Sequence, residues 1–224
     1  MATAQTLMEM YEAMLKRFGN HGWWPGDGPL EVCLGAILTQ NTSWTNVEKA
    51  LDNLRNAGAV SISVLQQMDP DSLAGLIRPA GYYNIKAGRL KNFIASVYES
   101  YGDDIAAFLD RSVSVLQSEL LGVNGIGRET ADSIILYAAG KPTFVIDRYT
   151  CRMMVRHEMT CPEEDYQQVK DLFESSLPED LELWKDYHAQ IVAVGKEYCR
   201  PKAKCAGCPL ECFPHDPVAG QFEQ

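Results

Sequence analysis

In LLGVNGIGRETADSIILYAAGKPTFVIDRYTCRMMVR, residues 120–156, an amphipathic helix ends near Leu121, and a turn follows with glycines at 125 and 127. A second helix opens at Arg128, with apolar residues at 131, 134, 135 and 138. That order predicts a helix-hairpin-helix. Gly125 and Gly127 suit a turn that needs positive φ or the close approach of another backbone. The amides from Ile126 to Glu129 would then point outward at a helix N-terminus, where an anion is held. A nucleic-acid phosphate is the natural guest, with Gly125, Ile126, Gly127, Arg128 and Thr130 as candidate contacts. Twenty residues after Gly127, Asp147 closes the apolar run Phe144-Val145-Ile146. It reads either as a reacting carboxylate or as the N-cap of a helix over 148–156.

The 224 residues are 46% hydrophobic and 22% charged, enough for a sizeable core in one or two domains. No apolar run approaches the roughly 18 residues of a membrane span. The N-terminus MATAQTLMEM lacks the basic start and apolar centre of a signal peptide, so a cytoplasmic location and no membrane partner are expected. The net charge of −10 has the wrong sign for a nucleic-acid binder, but its distribution is uneven. Residues 157–186 hold ten acids against two lysines, a net of −8; residues 121–156 carry +2 and residues 196–205 carry +3. A basic face on an acidic molecule fits, as does a solvated acidic helix pair with scattered basic residues.

Residues 3–18 place Leu7, Met10, Met14, Leu15 and Phe18 on one helical face. The glycine-rich loop GNHGWWPGDGPLE carries Trp23 and Trp24, which either cover the core or form a stacking wall for a base. From Leu30 to Leu38 the apolar residues are too dense for a surface helix, so a buried one is expected. Thr39 to Ser43 break it, and another helix opens near Ser43. Asp69-Pro70 is a helix start, followed by helices over 71–77 and 85–101; Tyr82 and Tyr83 are expected to pack. Two more helices are expected over 162–176 and 180–198. With no strand pattern, the fold class is all-α. Two lobes are expected, residues 30–138 and residues 1–29 with 139–224, with a catalytic cleft between them.

Four of seven cysteines stand in CRPKAKCAGCPLEC: Cys199, Cys205, Cys208 and Cys212, spaced C-x5-C-x2-C-x3-C. In a cytoplasmic chain this density points to a metal rather than to disulfides. Four thiolates hold zinc or a [4Fe–4S] cluster, and spacing alone does not separate them. Arg200, Lys202 and Lys204 on the same loop are candidate phosphate contacts. Cys33, Cys151 and Cys161 are expected to be buried thiols.

VNGIGRETA (123–131), VIDRYTCRM (145–153) and the four-cysteine C-terminus together resemble the endonuclease III family of DNA glycosylases over nearly the whole chain. The resemblance implies a two-lobed helical glycosylase fold whose hairpin binds DNA. It implies that Asp147 is essential for cleaving the glycosidic bond, and that the four cysteines hold a [4Fe–4S] cluster, with zinc as the alternative. It places Gln40, in LTQNTSW with Asn41 beside it, in the space left by an extruded nucleotide. The family's cysteine spacing is C-x6-C-x2-C-x5-C, so two gaps are shorter here. The lyase lysine of bifunctional members is replaced by Glu129, which offers no amine for a Schiff base. Trp23-Trp24-Pro25 and Trp44 resemble the base pocket of the branch that removes 3-methyladenine.

The implied activity is therefore monofunctional removal of an alkylated purine from double-stranded DNA by a monomer, with an AP endonuclease acting downstream. One alternative is a thymine/uracil mismatch or oxidised-pyrimidine glycosylase whose lyase amine is another residue such as Lys141. Another is a DNA-binding protein with a structural metal and no activity.

Overall fold

A computed structural model describes residues 2–219 apart from His21, Trp23, Pro25 and Glu164. The expected base-pocket residues Trp23 and Pro25 thus lie outside the described residues. The chain is all-α, with no strand among the described residues. It divides into two compact units, Trp24–Lys141 and Met1–Trp23 with Pro142–Gln224. Among the described residues, no helix is long and apolar enough to cross a membrane.

Helix α1 (Ala2–Phe18) belongs to the second of these units. The Trp24–Lys141 unit contains α2 (Pro29–Leu38), α3 (Trp44–Asn56), α4 (Ile62–Gln67), α5 (Pro70–Leu76), a 3-10 turn (Arg78–Ala80), α6 (Tyr83–Tyr101), α7 (Ile105–Leu109), α8 (Val113–Gly122) and α9 (Arg128–Ser133). Every residue of α2 from Glu31 to Leu38 is buried, as its apolar density requires. Leu34, Ile37 and Leu38 share one core with Leu51, Leu90, Phe93, Leu116 and Ile134. Each such side chain contributes about 1.5–3 kcal/mol by leaving water. Asp69 caps α5 through the Ser72 amide, with Pro70 at the first helical position. Glu31, though apolar neighbours surround it, is forked by Arg55 at 2.6 and 2.7 Å, and this bidentate pair ties the start of α2 to the end of α3.

The other unit adds α10 (Arg148–Arg156), α11 (Tyr166–Ser176) and α12 (Leu181–Glu197) to α1. Its core stacks Phe144 on Phe173 (centroids 4.2 Å apart), with Tyr187 edge-on to Phe144 and its hydroxyl on the Leu7 carbonyl. Helix α11 starts at Tyr166 rather than Pro162, because Asp165 and Gln168 form a capping box there. Helices α10 and α12 run side by side. Gly195 admits the Tyr149 ring where any Cβ would collide with it, and Arg152 Nε donates to the Cys199 carbonyl at 2.8 Å.

Candidate active site and DNA-contacting elements

Phe144, Val145 and Ile146 are buried, and the Phe144 amide donates to Glu174 Oε1 of α11 at 2.8 Å. This fixes the approach to Asp147, which is the N-cap of α10. Its Oδ1 accepts from the Thr150 amide (2.7 Å) and hydroxyl (2.9 Å). Its Oδ2 faces His188 Nε2 of α12 at 3.8 Å, an ion-pair separation rather than a hydrogen bond. The two side chains are 11% and 6% exposed. Burial pushes the Asp147 carboxyl up, but His188 and the Thr150 donors outweigh it and hold the group below its ordinary value. Capping and reacting are therefore compatible, because they use different oxygens.

The hairpin between α8 and α9 differs in detail from its sequence reading. Gly125 has φ +99 and lies under the stem of Arg89, so it requires glycine twice over. Gly127 has φ −98 and open space around it, so no positive φ demands a glycine there. Ile126 is buried, and its amide is spent on the Val123 carbonyl (3.1 Å), so that amide does not face an anion. Thr130 is buried as well. Its hydroxyl accepts from Gln40 Nε2 (2.9 Å), which also reaches the Gly125 carbonyl (3.3 Å), while Arg89 Nη1 donates to Gln40 Oε1. Gln40 is thus folded onto the hairpin instead of projecting from it. Asn41 beside it is exposed with φ +54, and Arg128 and Glu129 are exposed at the head of α9.

The residues at the head of α6 differ in part from expectation. Tyr82 is 69% exposed with φ +45, so it does not pack; Tyr83 does, beneath Arg78. Lys86 is buried, with Nζ on the Leu38 and Ala80 carbonyls (2.8 and 2.7 Å), and burial pushes it down to about 8. It closes two helix ends, a role its sequence position does not reveal.

Trp24 and Trp44 meet edge to face at 5.0 Å, and the tilted Tyr137 ring also lies 5.0 Å from Trp24. Gly35 of α2 makes room for both indoles. Tyr137 is brought there by a π turn, Ile134–Ala138, that continues α9. Such a widened turn shifts the following side chains round the helix. Periodicity alone did not show it, since an apolar run reads the same through either turn.

Cys199, Cys205 and Cys208 line one cavity with Arg156, His157 and His215. Cys212 is exposed and outside it, and Cys161 is exposed rather than buried. Among the described residues, no three His, Cys, Asp or Glu side chains stand together at metal-binding separations. Burial pushes the Cys205 and Cys208 thiols up, and at Cys205 the Arg156 guanidinium opposes that rise. Arg156 is buried and donates to Cys199 Sγ (3.3 Å) and to the carbonyls of Arg200, Pro201 and Ala219, with no carboxylate partner among the described residues. Arg200, Lys202 and Lys204 are exposed on the loop that these bonds hold.

The profile of the HhH-GPD superfamily of base excision DNA repair proteins matches residues 34–179, about two-thirds of the chain. The chain belongs to that superfamily. This HhH-GPD protein is 45% identical over 210 residues to MJ1434 of Methanocaldococcus jannaschii, provisionally named a DNA repair glycosylase; the match covers 93% of this chain and 96% of that one. Its fold superposes on the Helicobacter pylori 3-methyladenine DNA glycosylase MagIII bound to 1,N6-ethenoadenine, with TM-score 0.74, 26% identity, and 87% and 97% of the two chains covered. It also superposes on an endonuclease III–DNA complex, with TM-score 0.80, 21% identity, and 99% and 97% covered. The HhH-GPD chain is accordingly a DNA glycosylase of base excision repair, and DNA is its partner.

Proposed function

We propose that the chain hydrolyses the N-glycosidic bond of an alkylated purine such as 3-methyladenine, without cutting the strand. The observation that carries this reading is the aromatic group of Trp24, Trp44 and Tyr137 against Gly35. Purines alkylated at N3 or N7 are cationic, and an indole face attracts a cation by about 0.5–2 kcal/mol. Trp24 and Trp44 touch each other, so the base stacks on an outer face of the group rather than between the two indoles.

Such a base is a good leaving group. The C1′–N bond breaks with its electron pair leaving on the base, the Asp147 carboxylate stabilises the cationic sugar, and water adds at C1′ with loss of a proton. The products are a free base and an abasic site. Glu129 supplies no amine at the head of α9, so strand cleavage falls to an AP endonuclease. The duplex is gripped at the hairpin by Gly127 and Arg128, and at the cysteine loop by Arg200, Lys202 and Lys204. Asn41 and Gln40 meet the gap once Gln40 is released from the hairpin. The protein acts as a monomer.

Cys199, Cys205, Cys208 and Cys212 would hold a [4Fe–4S] cluster, zinc being the alternative. When bound, the metal supplies a covalent staple for this loop. Arg156, which donates to Cys199 Sγ, would offset the thiolate charge.

The test is chromatographic identification of bases released from methylated duplex DNA by the parent and by Trp44→Ala. Release of 3-methyladenine or 7-methylguanine, weakened in Trp44→Ala, supports the reading. Release confined to G:T, G:U or thymine-glycol duplexes overturns the alkylpurine assignment.

A further inference from the structure

We propose that His188 is a positioning residue for the Asp147 carboxylate, its imidazole fixing and sustaining the charge of the oxygen that the N-cap leaves unused. The inference rests on the reading of Asp147 as the reacting group and adds a second residue to it.

Oδ1 of Asp147 already accepts two hydrogen bonds from Thr150. A carboxylate so tethered retains one soft motion, rotation about its terminal torsion, which swings Oδ2. His188 faces that oxygen, its Nε2 3.8 Å from Oδ2 and its side chain buried. Its place is set by the helix pair. Gly195, seven residues along the same face of α12, is pressed against Tyr149, and Arg152 fixes the axial register by its bond to the Cys199 carbonyl. A buried carboxylate with only apolar neighbours at Oδ2 would tend to take up a proton and lose its use to a cationic sugar. An imidazole at ion-pair distance opposes this, and a small rotation of either group converts the contact into a hydrogen bond.

The test compares His188→Leu, His188→Gln, His188→Asn and Asp147→Asn with the parent protein. It measures the single-turnover rate of base release, Kd for a duplex bearing a tetrahydrofuran abasic analogue, and Tm. The substrate is dimethyl-sulfate-methylated duplex or, if that is inert, whichever of the G:T, G:U and thymine-glycol duplexes the parent cleaves. His188→Leu is expected to slow release about tenfold or more, the scale on which residues that orient metal ligands act, with Kd unchanged. Glutamine, whose amide reaches as far as Nε2, should restore most of the rate, and the shorter asparagine should not. If the leucine variant does not fold, the glutamine–asparagine difference carries the test alone. Leucine within twofold of the parent, or equal rates in glutamine and asparagine, overturns the role of His188 while Asp147→Asn stays inactive. An active Asp147→Asn overturns the reading of Asp147 itself, and so does a parent inert on every duplex.

Discussion

Gly195 of α12 lies flush against the ring of Tyr149, leaving no room for a Cβ. The Tyr149 ring packed on the bare Gly195 therefore sets how closely α10 and α12 approach each other. At one end of the pair stand Asp147 and His188; at the other, Arg152 and Arg156 hold the cysteine loop. Gly195→Ala must move a helix or the ring, and overpacking of this kind costs about 1–3 kcal/mol. For a chain of this size that lowers Tm by about 2–4 °C per kcal/mol. A thermal melt of the variant checks it.

The two hairpin glycines separate backbone conformation from ligand approach. Gly125→Ala places a side chain at φ +99 against Arg89, and the left-handed conformation alone costs about 1–2 kcal/mol. Gly127→Ala meets neither obstacle, so its Tm should stay within about 1 °C of the parent. Its Kd for duplex DNA should nevertheless rise, because a methyl group would stand where a phosphate nears the backbone. Paired melting and fluorescence-anisotropy measurements read both effects.

Glu31 gives a pH signature to stability. The Arg55 fork holds its carboxyl below the usual range, despite burial. Its folded pKa is thus lower than its unfolded one, near 4.3. The stability it adds is complete above that value and is lost as pH falls through the folded pKa. Arg55→Met should cost about 2 kcal/mol at pH 7, less than the roughly 3–5 of a fully buried pair, because Arg55 is 36% exposed. The parent–variant difference in denaturant midpoint should narrow on acidification below about pH 4.

Arg200, Lys202 and Lys204 are exposed, so removing their charge should leave folding intact and weaken DNA binding without regard to sequence. Every phosphate left without its cation should flatten the plot of log K against log salt by about 0.9. A titration of the Lys202→Ala/Lys204→Ala double variant at several salt concentrations measures this.

Local chemistry made much of this legible in the sequence. The N-cap at Asp69, the buried run of α2, the break at the hairpin and the spacing of the cysteines are all written within a few residues. What stayed hidden depends on partners far along the chain. Gln40 reads as a free polar residue, but its acceptors lie 85 and 90 residues away. Lys86 reads as a surface cation until two helix ends close over it, and Tyr82 as a packing ring until its backbone turns it outward. Nothing near His188 in the sequence marks it; what it faces is decided by how α10 lies along α12. Tyr137 is placed by a π turn that leaves no sequence period of its own.

The most direct measurement is strand analysis of methylated duplex DNA after incubation with the parent protein and with Asp147→Asn, before and after alkali. Breaks are expected only after alkali with the parent and none above background with the variant. Breaks before alkali, or undiminished alkali-labile sites with Asp147→Asn, would contradict a monofunctional glycosylase acting through Asp147.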